Sequence, residues 1–225
     1  MTNQTVAEDA HHTLREEAYH KFMAAMFNRE IRPGRMLSQR EIAQATGSSL
    51  ASVREALKRL ESEGVVNLIP KRGVLITEVT RKAIADAYDF RILIETHAIK
   101  RYATRSDPAE IAELRAQTEE ILAVTADKRD IEHFNQCLEI DRELHRKIVA
   151  SLENAAISGT HQKIETTMML ARLNLPIMLN ASAAAFSEHL LLLGALEAKD
   201  AEQASNLLRE HLTKAKQRAM EFAEN

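Results

Sequence analysis

The sequence predicts a mainly α-helical protein in two parts: a small N-terminal part that includes a β-hairpin, and a larger all-helical bundle of about six helices. Three observations carry this. Apolar residues recur at helical spacing through most of the chain, and beyond residue 80 no segment alternates as a strand does. Two β-rich runs, VVNLI and VLITEV, flank the turn sequence PKRG (Pro70 to Gly73), the pattern of a small hairpin. Charge is also uneven. Residues 32–72 hold Arg32, Arg35, Arg40, Arg54, Lys58, Arg59, Lys71 and Arg72 against Glu41, Glu55, Glu61 and Glu63, a local +4 in a chain whose formal charge is −3. A small anion-binding part joined to a net acidic one follows.

Taken in order, residues 1–13, with His11 and His12, are polar and read as a tail before the first helix. That helix runs from about Leu14 to Arg29, with Ala18, Phe22, Ala25 and Met26 at helical spacing, and RPG at 32–34 stops it. Ser38 and Glu41 form a capping box that opens a short helix through Ala45. TGSS at 46–49 turns around Gly47. The next helix runs from about Ser49 to Ser62, with Gly64 as a left-handed terminator and with Ser52 and Glu55 offering a second capping arrangement. Helix patterns then run near 82–104, 108–126, 130–151, 154–179, 182–198 and 200–222. Asp107-Pro108, Asp130 and Asp200 mark starts. The boundary falls near 78 to 82, which divides the chain into residues 11–79 and 80–222.

A chain of 225 residues that is 45% hydrophobic can bury one large core or two modest ones. Cys137 is the only cysteine, so an intramolecular disulfide is excluded and a reducing compartment suits the chain. MTNQTVAEDAHH lacks a secretory pattern. The longest apolar run, HLLLLGAL, is far short of the roughly 18 residues of a membrane span. A cytoplasmic protein with no membrane partner is expected.

A long helix, a short helix, a glycine turn, a second helix and a basic hairpin make a winged helix-turn-helix. Its physics fits double-stranded DNA. The second helix can enter a major groove about 12 Å wide, where arginine pairs bidentately with guanine O6 and N7. The wing tip, Lys71, Arg72 and Gly73, can approach phosphates or the minor groove, glycine allowing close backbone approach.

Residues 14–78 resemble the DNA-binding domain of the GntR superfamily of bacterial transcription regulators. The signatures are RPGRMLSQREIAQATGSS, VREALKRLESEGVV and PKRG. The resemblance implies that Arg54 reads a base and that Arg40 and the wing turn support it. Arg35, Ser49 and Lys58 complete the expected interface. In one stretch the chain departs from the family, which often has SRTPVREAL where SLASVREAL stands here. Leu50 occupies the place of an arginine that often contacts DNA, and Ser52 that of a helix-opening proline, so the departure bears on which operator is read or how tightly.

In the second part Asp141 and His145 stand one helical turn apart, and His189 and His211 lie on the last two predicted helices. Three imidazoles and one carboxylate suit a first-row metal and leave a position or two for water or a ligand. His97, His133 and His161 are read as structural. Residues 82–222 are similar to the FCD ligand-binding domain of the FadR-like branch of the same superfamily, in its VanR-like group. That pattern has an Asp and a His one turn apart, a turn at Asn154, a His before ALEAKDAEQA and a final His on the last helix. All four ligand positions are filled. The resemblance implies one divalent transition metal per chain, zinc first, with nickel, manganese or iron as alternatives. It also implies a small organic-acid effector anchored by the metal with an arginine nearby. Arg172 and Arg91 are the candidates, and the run Met168 to Leu170 is read as core.

The expectation is a DNA-binding transcription regulator, a repressor by family habit, acting as a homodimer on a palindromic operator. A different class, a metal-dependent hydrolase using the same Asp/His set, would need a general base beside a metal-bound water. No HExxH spacing is present, and the DNA-binding half would then go unexplained.

Overall fold

The computed structural model describes residues 3–125, 130–173 and 178–222. It forms two compact units, Met1–Val79 and Thr80–Asn225, and the architecture is mainly helical with one small sheet.

In the first unit α1 spans Asn3–Phe27. The helix therefore takes in residues expected to precede it, because Ala7, Glu8 and Ala10 are good helix formers and propagation adds one bond per residue. It also ends sooner than expected, since Arg29 adopts φ 62°, outside the helical region. In α2 (Gln39–Thr46) the capping box is complete. Ser38 Oγ accepts from the Glu41 amide at 3.1 Å, and Glu41 Oε2 accepts from the Ser38 amide at 2.7 Å. Gly47, at φ 59°, closes the helix. α3 (Leu50–Ser62) is capped by Ser49, whose Oγ accepts from the Ser52 amide at 3.1 Å. Ser52 thus sits inside the first turn and is not the cap. At the far end, the Val65 amide donates to Leu60 and that of Gly64 to Glu61, a Schellman closure around the positive φ of Gly64. Val53, Ala56, Leu57 and Leu60 face inward from α3, and α1 supplies Phe22 and Met26.

The sheet is antiparallel in the order β1-β3-β2, with β1 Met36–Leu37, β2 Val66–Ile69 and β3 Gly73–Ile76. β1 is absent from the sequence reading because two residues carry no alternation to read. Gly73, at φ 128°, has a reason beyond reaching DNA. A Cβ on it would lie 2.6 Å from the Leu37 carbonyl oxygen, so the β1–β3 contact itself demands glycine.

The second unit comprises α4 (Arg81–Arg105), α5 (Pro108–Thr125), α6 (Ile131–Ala150), α7 (Ala155–Leu173), α8 (Met178–Glu197) and α9 (Ala201–Phe222). Thr80 caps α4 and Asp130 caps α6, while Asp200 Oδ1 accepts from the Gln203 amide at 2.9 Å at the head of α9. The parts of the expected helices at residue 126 and at 174–177 lie outside the described residues. α4 packs most extensively against α9, and α5 against α8. Ile99, Tyr102, Leu144, Ile148, Leu192, Leu193, Leu196, Leu208 and Leu212 form the core between them. Each such aliphatic side chain stabilises by about 1.5–3 kcal/mol relative to exposure. This core holds α6, α8 and α9 in register, and those helices carry the polar cluster described next.

Candidate functional site

The first unit presents exposed cations. Arg35, Arg40, Lys71 and Arg72 are exposed and make no ion pair among the described residues. Arg54, also exposed, donates from Nε to Gln39 Oε1 at 3.0 Å, which ties the outward arginine of α3 to the start of α2. Lys58 pairs with Glu55 at 2.7 Å on the exposed face. Arg59, half-buried, belongs to the scaffold instead: it bonds Glu16 and Glu63 and lies 3.9 Å from the Tyr19 ring centroid, clamping α3 to α1. At the wing tip the Arg72 amide donates to Ile69 at 3.0 Å, and Lys71 takes the positive φ of 62° that this tight turn requires. Ser49 serves as the α3 cap.

In the second unit α6 contributes Asp141 and His145, α8 His189 and α9 His211. One donor atom from each lies within 4.8 Å of all the others, and all four residues are buried. His189 Nε2 and His211 Nε2 are 3.2 Å apart, and Asp141 Oδ1 is 4.0 Å from His145 Nε2 and 3.9 Å from His189 Nε2. Metal–nitrogen bonds of about 2.0–2.1 Å in a tetrahedral site put ligand atoms roughly 3.3 Å apart, so the two imidazoles already stand at ligating separation. Nε2 of His145 is buried without a hydrogen-bond partner, a costly state for a polar atom and one that a cation would relieve. The donor set fits a divalent metal.

Carboxylates outside the set aim two of the rings. Glu95, on α4, accepts from His145 Nδ1 at 2.6 Å, and Glu188 from His211 Nδ1 at 2.7 Å. A carboxylate on Nδ1 fixes the tautomer and leaves Nε2 to face the centre. Glu95 also accepts from Arg91 Nε at 2.6 Å and lies 2.9 Å from His161 Nε2. Burial alone would raise the Glu95 carboxyl, but Arg91 and His145 hold it well below the usual carboxylate range. Asp141 is likewise held down against burial, chiefly by Arg172, whose Nη2 donates to Oδ2 at 2.9 Å. Burial, with Arg91 second, lowers His145. Burial and the neighbouring His211 hold His189 well below the ordinary histidine value, so both rings favour the neutral, ligating form.

A cavity of about 50 Å³ opens beside Asp141 and His211, lined also by Tyr88, Cys137, Arg172 and Arg218. Arg218 grips Glu188 through both Nη atoms at 3.0 and 3.1 Å. A second cavity of about 10 Å³, room for one water, lies among Arg91, His145, His161, Glu165 and Arg172. Met168, Met169 and Leu170 are all buried, as expected of core, and the two methionines also border this small cavity. Of the two candidate effector arginines, Arg91 is buried in its pair with Glu95, whereas Arg172 borders both cavities. His161, taken as structural, joins this polar network through Glu95 and Glu165. His133 contacts Cys137 Sγ at 3.4 Å, and burial pushes the Cys137 thiol up to about 11. His97 is exposed.

Glu95, Glu188, Tyr88 and Arg218 were not singled out from the sequence. Glu95 had a faint signal, a carboxylate four residues after Arg91 inside the apolar stretch FRILIETHAI. Glu188 directly precedes His189, and nothing local distinguishes it from a surface glutamate.

Residues 86–214 match the FCD domain family, and residues 14–76 match the family described as bacterial regulatory proteins, gntR family. A transcriptional regulator of helix-turn-helix type from Streptomyces ambofaciens is 28% identical over 207 residues, 89% of this chain and 82% of its own length. The Escherichia coli regulator McbR is 29% identical over 185 residues, 80% of each chain. Its solved structure superposes with a TM-score of 0.70 at 20% identity, covering 92% of this chain and 97% of that one. The zinc-bound FCD domain of another transcriptional regulator matches with a TM-score of 0.51 at 20% identity, over 64% of this chain and 96% of that domain. Among the described residues no helix is long and apolar enough to cross a membrane.

Proposed function

The chain belongs to the GntR family of bacterial transcription regulators and carries an FCD domain, and from that premise we propose a metal-dependent, effector-controlled repressor. The family is one of regulators and not of enzymes, which removes the hydrolase alternative. The observation that carries the finer reading is the buried Asp141, His145, His189 and His211 set. Its rings are aimed by Glu95 and Glu188, and it stands beside a cavity bordered by Arg172 and Arg218.

In this reading the four residues hold one divalent ion per chain, zinc by preference. A bound ion supplies positive charge at the cavity wall, where a small carboxylate can bind. Arg172 gives that carboxylate a bidentate partner, and Arg91 keeps Glu95 charged and in place. The protein is cytoplasmic and acts as a homodimer on a palindromic operator. One recognition helix reads only a few base pairs, and a symmetric pair doubles the site. Arg54 reads a base, Arg35, Arg40, Ser49 and Lys58 flank it, and Lys71 and Arg72 hold the backbone from the wing. Because α6, α8 and α9 all contribute ligands, occupancy changes how these helices are drawn together. By linkage, an effector that weakens DNA binding binds less tightly when DNA is present.

The test combines elemental analysis of unchelated protein with a thermal-shift screen of organic acids. A ligand at about 100 times its Kd adds about 2.7 kcal/mol of stability. About one equivalent of metal is expected, and His189→Ala should lose both metal and effector response while keeping basal DNA binding. Under about a tenth of an equivalent, together with a normal effector response in His189→Ala, would overturn the metal-dependent reading.

A further inference from the structure

We propose that Leu50 reads the 5-methyl group of a thymine in the major groove and is a specificity determinant of this regulator. The inference rests on the DNA-binding reading above. Leu50 is the first residue of α3, directly after the Ser49 cap, and is 38% exposed. The inward face of α3 is already complete in Val53, Ala56, Leu57 and Leu60, so the core leaves this leucine outside. It stands one helical turn before Arg54, and residues four apart share a helix face. Arg54 is itself exposed and steadied by Gln39. Arg40, Lys71 and Arg72, exposed and unpaired among the described residues, give the same unit the positive charge that a phosphate backbone complements.

The N-terminal residues of a recognition helix are the ones that contact base edges. An isobutyl group there neither donates nor accepts a hydrogen bond, so it discriminates only by what it desolvates. Of the four bases, thymine alone presents an apolar group in the major groove. Guanine N7 and O6 or the cytosine amino group would instead lose water against the leucine without gaining a partner. An arginine at this position would favour guanine, whose O6 and N7 accept from it bidentately. Leucine turns the preference to thymine.

The experiment uses the full chain. An operator is selected from random duplexes, and each thymine of a half-site is then replaced in turn by deoxyuridine, which lacks only the methyl. One thymine per half-site should show about a fourfold loss of affinity. That is the ratio for one methyl-sized group, about 0.8 kcal/mol at 1.4 kcal/mol per tenfold. Leu50→Ala should bind the thymine and deoxyuridine operators equally, and Leu50→Arg should shift selection toward guanine. Leu50→Gln, which keeps a helix-forming side chain but replaces the apolar branch with a polar amide, gives the same reading should the alanine variant fail to fold. Methyl dependence at no thymine, or dependence that survives in Leu50→Ala and Leu50→Gln, overturns the assignment of Leu50 alone. Selection that enriches no sequence overturns the DNA-binding reading and this inference with it.

Discussion

Nδ1 of His145 and Oε2 of Glu95 lie 2.6 Å apart, with Glu95 fully buried and its other oxygen shared between Arg91 and His161. One carboxylate on α4 thereby sets the orientation of a ring on α6 and the charge balance of the network behind it.

Replacing that carboxylate tests its role. Glu95→Gln should lower affinity for a divalent metal about 10–100-fold, the usual effect of losing a partner that orients a ligand. It should also destabilise the second unit by about 3–5 kcal/mol, because Arg91 is left buried with its charge unpaired. Competition against a chelator of known affinity measures the first effect and denaturant unfolding the second. Wild-type metal affinity in a folded Glu95→Gln protein would exclude the orienting role.

Stability of the chelated protein should depend on pH through the same residues. Unfolded chains protonate histidine near pH 6.5. The fold keeps His145 and His189 neutral below that, through burial first and then neighbouring positive charge. Their stabilisation is complete above about pH 6.5 and is lost as pH falls toward the lowered folded values. His161 is raised, because hydrogen bonds to Glu165 and Glu95 outweigh burial. Its contribution is present below pH 6.5 and lost as pH rises through the folded value, so it offsets part of the change. With two rings against one, the chelated protein should melt at a lower temperature at pH 5.5 than at pH 7.5. An equal or higher melting temperature at pH 5.5 would contradict this balance.

The two kinds of basic residue in the first unit should separate in DNA binding. Arg54→Ala should cost about 1–3 kcal/mol in discrimination between operator and random DNA, with the fold intact because the side chain is exposed. Lys71→Ala or Arg72→Ala should weaken binding to every sequence and reduce the salt slope by about one. Affinity titrations at several salt concentrations distinguish the two. A salt slope unchanged in both wing variants would remove the wing from the interface.

Gly73→Ala should unfold the first unit more readily even without DNA. The added methyl would meet the Leu37 carbonyl at 2.6 Å, at a φ of 128° that side chains rarely adopt. A cost of about 1–3 kcal/mol is expected from overpacking and backbone strain. Urea unfolding followed by circular dichroism measures it, and a midpoint equal to wild type would show that β1 yields freely.

The sequence by itself determined the order and type of the elements, because helix periodicity and caps act over a few residues. Ser38 with Glu41, Gly47, Gly64, Asp130 and Asp200 each act where local chemistry placed them. Two details departed from that reading: of two serines with capping chemistry Ser49 and not Ser52 caps α3, a local choice, whereas β1 exists only because β3 lies beside it. Candidate ligands were readable as residue types, since an Asp and a His one turn apart share a helix face wherever the helix goes. The surroundings of those ligands were not. Glu95 stands 50 residues from His145, Glu188 stands 23 from His211, and Arg218 reaches Glu188 across 30. Such pairs leave no spacing signature, because only the packing of α4, α6, α8 and α9 brings them within hydrogen-bond distance. The tertiary structure therefore decided which charges face one another. A carboxylate that orients an imidazole and one left in solvent look alike in sequence, and only the packing of the helices brings the first within hydrogen-bond distance of its ring.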